Sequence, residues 1–178
     1  MLMRDPVPLP DDAVEDVKAY LRIDTADEDA LLASLISAAV GRAESFCGQM
    51  LIIRTVSERL SARRDWQKLG ALPIVSIAQV NSVAAGVASP LSPAQFGIDI
   101  DAEGRGWVRV IDPNVRGTIT VLYSAGLASG WDSLPETIRQ AMIRLVAYLY
   151  TSRDAAVDAG PPAAVAALLR PYRQLRLT

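Results

Sequence analysis

Between Met50 and Ser124 the apolar residues of this chain change their period, and that change restricts the possible folds more than any other feature of the sequence. On both sides of the block they recur every three or four residues, as a helix buried along one stripe requires. Within it they form short runs rich in Val and Ile, broken by Gly, Pro, Asn and Asp, which is the punctuation of strands and tight turns. A helical pattern does not pack as a strand, nor a strand pattern as a helix. The chain is therefore read as α+β, a helical body carrying an inserted antiparallel β region of about five or six strands.

The boundaries follow from the same pattern. Residues 1–10 form an extended leader, because Pro6, Pro8 and Pro10 leave little room for helix or ladder. The helical part 11–49 begins with "DDAVEDVKAYLRI", capped by Asp11 or Asp12, striped by Val14, Val17 and Leu21, and ending near Ile23. A longer helix follows, capped by Thr25 or Asp27 and stopped by Gly48, with Leu32, Leu35, Ile36, Ala39, Val40, Ala43 and Phe46 on one face. The β region spans 50–124. Strands are expected in "LIIRTVSERL", "SIAQVNSVAA", "QFGIDIDA", "GWVRVID" and "RGTITVLYSAG". Helix returns over 134–169, first as a long element with Ile138, Met142, Leu145, Val146 and Leu149 inward, then as the short "PPAAVAALLR". Residues 170–178 are left as a tail on a single domain of 178 residues.

Composition narrows the function. The chain has no histidine and one cysteine, Cys47, which removes the commonest general base, the usual nucleophile pairs and most transition-metal sites. No catalytic residue, metal site or cofactor is expected. A lone cysteine excludes an internal disulfide framework. The acidic, proline-rich start does not read as an export signal, and no apolar run is expected to span a bilayer. A formal charge of -2 provides no global field for nucleic acid.

Several local constellations have a chemical reading and a plainer one. "DIDAEG", residues 99–104, matches the opening of a calcium loop through Asp99, Asp101, Glu103 and Gly104, but the twelfth position is Val110 where a bidentate glutamate belongs, so a hairpin turn is the better reading. Arg63, Arg64 and Lys68 around Trp66 could hold phosphates and stack a base; the plainer expectation is that Trp66 anchors a loop against the sheet. Ser124-Ala125-Gly126 does not make a nucleophile elbow. Cys47 is expected in an apolar gap, and Tyr148 and Tyr150, near Arg153, more as core than as interface.

The tail is harder to explain as ordinary structure. In "LLRPYRQLRLT", Arg170, Arg173 and Arg176 alternate with Leu169, Tyr172, Leu175 and Leu177, and no acid follows Asp158. Beyond Pro171 continued helix is disfavoured, which leaves an extended strip able to dock on a partner with its arginines on carboxylates.

Taken in order, four stretches resemble the head-tail connector (adaptor) proteins of long-tailed bacteriophages and gene transfer agents. They are "VEDVKAYLRIDTADEDALLASLISAAVGRAESFCGQML", "LGALPIVSIAQVNSV", "ITVLYSAGLASGWDSLPETIRQAMIRLVAYLYTSRD" and "PAAVAALLRPYRQLRL". In the second, Ile74 stands where the family has a proline. The resemblance implies a non-enzymatic structural protein of the virion or virus-like particle neck, assembled in the bacterial cytoplasm. It implies a homo-oligomeric ring, usually twelvefold, beneath the portal protein, joined on the other side to a tail terminator or stopper protein. Genome DNA would pass through without specific binding, and no membrane is involved. Leu169, Arg170, Pro171, Tyr172, Arg173, Leu175 and Arg176 become the expected portal-docking residues. Three other readings are a tail-terminator or stopper subunit, a small cytoplasmic interaction or regulatory module whose tail binds an acidic partner, and a histidine-free enzyme using Asp99 and Asp101.

Overall fold

The computed structural model describes residues 1–84, 86–152 and 160–174. The chain forms two compact units, one of Met1–Pro6 and Ile53–Leu127, the other of Val7–Ile52 and Ala128–Thr178. The first is built of strands and the second of helices.

In the helical unit, α1 (Asp11–Leu21), α2 (Asp29–Cys47), α3 (Glu136–Thr151) and α4 (Ala163–Leu169) close around one apolar core. Val17, Leu32, Ile36, Val40, Ile138, Met142, Leu145 and Val146 are fully enclosed, as the three- and four-residue spacing requires. By length and composition alone α2 is apolar enough to cross a bilayer, which corrects the expectation that no segment is. Its apolar stripe is instead spent on α1, α3 and α4. The expected caps differ as well. Asp11 and Asp12 lie inside the first turn of α1, where the helix dipole favours acids, and neither they nor Thr25 or Asp27 caps a helix with its side chain. At the other ends Arg22 (φ 60°) closes α1 and Gly48 (φ 69°) closes α2, both in the left-handed region.

Polar groups complete this core. Trp131 is fully buried in the segment before α3, and its indole N–H donates to Asp16 Oδ2 of α1 at 2.8 Å. The largest side chain of the interior thereby gains a partner for its one polar atom. Lys18 reaches Asp29 at 3.0 Å and Glu15 at 3.3 Å, and the hydrogen bond it donates to Asp29 holds its ammonium above the usual lysine range.

The β unit contains two antiparallel sheets. Strands β1 (Leu2–Arg4), β2 (Arg54–Ser61), β4 (Ile74–Ala84), β5 (Val87–Pro90) and β8 (Thr118–Ala125) form a five-stranded sheet in the order β1-β2-β8-β4-β5. Strands β3 (Gln67–Lys68), β6 (Phe96–Ile100) and β7 (Gly106–Val110) form the second, in the order β3-β7-β6. Among the described residues there are eight strands where five or six were expected. Those missed are short: β3 has two residues, β5 ends on a proline, and β1 lies in the supposed leader. The leader's three prolines all follow Asp5, so Leu2–Arg4 keep the donors needed to pair with β2.

Strand β8 sits at the centre, with Ile119, Val121, Tyr123 and Ala125 buried in strict alternation. Beside it Glu58 of β2 is buried, and its Oε2 accepts the Tyr123 O–H at 2.8 Å and the Gly70 N–H at 2.8 Å. Tyr123 Oη in turn accepts the Ala71 N–H at 3.2 Å, and burial pushes its phenol well above the usual range. A buried carboxylate held by two donors, one of which is itself an acceptor, behaves as a network. Tyr123→Phe should therefore destabilise the β unit by about 1–3 kcal/mol, since Glu58 and Ala71 each lose a partner without gaining water. Chemical denaturation of the two proteins measures this; equal midpoints would show that the network contributes nothing.

Candidate functional site

The segment that the sequence singles out for docking begins inside the helical core. Val165 and Leu169, one turn apart on α4, are both buried, Leu169 completely. Leu169 is thus a root that holds the segment and not a residue displayed to a partner. Pro171 does not end the fold at once: Arg170–Tyr172 form a single 3-10 turn, where proline near the start costs no hydrogen bond. Only at Arg173 does the backbone become extended. Arg170, Pro171 and Arg173 are exposed and Tyr172 is half-buried, while Leu175 and Arg176 lie outside the described residues.

What seats this segment is the C-terminal end of α2. A helix end leaves carbonyls without intrahelical donors. The backbone N–H of Gln174 donates to the Cys47 carbonyl at 2.7 Å, and the Gln49 side-chain amide donates to the Tyr172 carbonyl at 2.6 Å. Gly48 turns the chain away closely enough that a Cβ there would stand 3.5 Å from the Gln174 oxygen. The Arg173 guanidinium lies 5.4 Å from the centre of the Phe46 ring, a cation over an aromatic face near the negative end of the helix dipole.

Cys47 and Glu44 complete the corner from below. Glu44 is buried and accepts the Leu51 N–H at 2.9 Å, which fixes the chain as it leaves the helix. Burial, with a smaller contribution from Glu44, pushes the Cys47 thiol up to about 11, while Arg173 pulls it the other way. At neutral pH the sulfur therefore keeps its proton, and the S–H donates to the Leu169 carbonyl at 3.9 Å. Cys47 thus occupies the apolar gap expected of it. The roles of Glu44 and Gln49 were hidden, because in sequence they look like ordinary polar residues around a helix stop.

The other candidates resolve into structure. Asp101 Oδ1 accepts the N–H groups of Glu103 at 3.1 Å and Arg105 at 2.7 Å, so this carboxylate is turned into its own β6–β7 hairpin, as the plainer reading required. Trp66 is not a buried anchor: it is 44% exposed, with the Arg109 guanidinium 4.6 Å over its ring. Tyr148 is exposed against expectation, whereas Tyr150 is half-buried and donates its hydroxyl to Glu28 at 2.6 Å. Arg153 lies outside the described residues.

The geometry is that of a short, cationic segment leaving the body from a fixed root. The family model of the head completion protein matches residues 13–159. Among solved structures, the chain is similar over 100% of its length to a protein in the neck of an empty gene transfer agent particle computed with C6 symmetry, with 28% identity, a TM-score of 0.78 and 97% of that chain covered. It is likewise similar to a chain in the virion of a native gene transfer agent particle, at 28% identity and a TM-score of 0.77, again with 97% of that chain covered. A third such chain belongs to the neck of the native particle computed with C12 symmetry, at 27% identity, a TM-score of 0.77 and the same coverage of both chains. No curated protein matches the chain.

If residues 170–174 cover the end of α2, Cys47 should react slowly with a thiol reagent in the intact folded chain and much faster in a chain ending at Leu169. Because burial lifts the thiol to about 11, only a small thiolate fraction exists at pH 7–9 and it still climbs about tenfold per pH unit, so the slow rate should keep rising through pH 9, where that of an ordinary cysteine with a pKa of about 8.5 begins to level off. Equal rates in the two chains would show that the segment does not cover the helix end.

Proposed function

The chain belongs to the head completion protein family, and from that premise we propose that it is a structural virion protein of the neck: a connector that forms a ring beneath the portal, extends the DNA channel and joins the capsid to the tail or a stopper. The observation that carries this reading is the likeness over the whole chain to proteins of gene transfer agent necks. The family match sets aside the cytoplasmic regulatory module, and with it the histidine-free enzyme.

The C-terminal segment is the docking element for the portal. Arg170, Pro171 and Arg173 are exposed at the end of a root fixed by Leu169, so each copy presents the same short cationic strip in the same place. Repetition around a ring multiplies a modest single affinity into lasting attachment. A protein with a formal charge of -2 also suits a channel through which DNA must slide, since a strongly cationic lining would retain phosphates. Assembly in the bacterial cytoplasm, before the tail is joined, follows from the same reading.

Truncation tests it. A chain ending at Leu169 should keep its helical circular dichroism and lose co-sedimentation with portal rings, and Arg170→Glu in the full chain should weaken that binding. Undiminished portal binding by the truncated chain would remove the docking role from this segment.

A further inference from the structure

The outer face of the three-stranded sheet carries charge and aromatic surface that the portal-docking reading does not use. Arg109 is exposed on β7, with its guanidinium flat over the half-exposed Trp66. Gly97 of β6, paired with Arg109, makes room for this stack: a Cβ there would lie 3.2 Å from Arg109 Nε and 3.3 Å from the Trp66 ring. Arg109 and Arg64 line one shallow concavity of about 260 Å³ with Val110 and Ile111, and Ile111 is 48% exposed. Neither arginine has an acidic partner among the described residues. Exposed tryptophan and arginine on a preformed platform is the composition of a protein-binding hot spot.

The complement is present in the same sequence. The β unit holds nine Lys and Arg against seven Asp and Glu, whereas the helical unit holds nine against thirteen. The excess acid gathers around the turn between α1 and α2. Glu28 and Asp29 there are engaged by Tyr150 and Lys18, but Asp24 and Asp27 are exposed and have no side-chain partner among the described residues. Two large apolar side chains flank this turn, Tyr20 at 52% and Leu31 at 41% exposed. Acid beside apolar surface at the turn matches base beside apolar surface on the sheet.

We propose that these two surfaces join neighbouring copies of the chain, the α1–α2 turn of one copy docking on the Arg64–Trp66–Arg109 face of the next. The inference rests on the ring reading, because a cyclic ring of more than two copies needs a head-to-tail contact between two different patches. Opposite charges on the two patches fix the direction of assembly and disfavour face-to-face pairing of like patches.

Two charge-reversed variants test it, Arg64→Glu with Arg109→Glu, and Asp24→Lys with Asp27→Lys. All four positions are exposed or partly exposed, so folding is checked simply by circular dichroism. In sedimentation velocity the wild type should self-associate, less so as salt rises. Each variant alone should associate at least about tenfold more weakly. An equimolar mixture of the two variants should associate again, because each retains the patch that the other lacks. Unchanged self-association in either variant, or no recovery on mixing, overturns the interface. Loss of duplex oligonucleotide binding in the arginine variant with self-association intact would give the face to nucleic acid and also overturns it. Portal co-sedimentation run in parallel separates this proposal from the one beneath it. A wild type that never self-associates, alone or with portal rings, defeats the ring reading as well, whereas ring formation by both variants defeats only the interface.

Discussion

A helix cannot satisfy its own last carbonyls, and the way α2 meets that requirement organises the helical unit. Gly48 turns left-handed and returns its N–H to Glu44, Gln174 supplies a donor to Cys47, and Gln49 reaches across to Tyr172. Such bonds are each worth on the order of 1 kcal/mol net, yet leaving a buried carbonyl without one costs more. The C-terminal segment is therefore bound to its own body by the same groups that end the helix. In the docking role proposed for it, the segment would start from an anchored base.

That anchoring bears on the proposed docking. Leu169 is enclosed and Tyr172 half-enclosed, so ordering of the strip's root has already been accomplished in the folded subunit. A partner then loses less binding energy to immobilising the chain, which is the benefit of preorganisation. Arg170 and Arg173 remain at the surface, and guanidinium groups suit recognition of carboxylates in a defined orientation.

The helices were legible because their apolar spacing is long and regular, and the stop at Gly48 because left-handed backbone favours glycine. Five of the eight strands were legible from alternation, with β8 the clearest. The missed strands, β1, β3 and β5, are too short to show a period, and their pairing is decided by neighbours far along the chain. The cap of α1 differs because Asp11 and Asp12, which read as caps, sit inside its first turn, and that of α2 because the helix begins at Asp29, beyond Thr25 and Asp27. For the candidate site, the run of arginines was visible, but its seat was not. Gln49 and Cys47 lie more than a hundred residues before the segment they hold, and nothing local marks them. Trp66 and Trp131 illustrate the same limit. Trp66 reads as an anchor yet is exposed, whereas Trp131, which the sequence reading does not single out, is enclosed with its indole N–H on Asp16.

The position of β8 has a consequence for how the protein is made. It lies between β2 and β4 in the five-stranded sheet and is the last of these strands to leave the ribosome. Until residues 118–125 emerge, β1 with β2 and β4 with β5 can exist only as two separate ribbons, each with an open edge waiting for the same partner. Late arrival of the shared strand makes this half of the nascent chain vulnerable to pairing with other chains. Translation speed across that stretch thus becomes a determinant of how much folded protein is obtained.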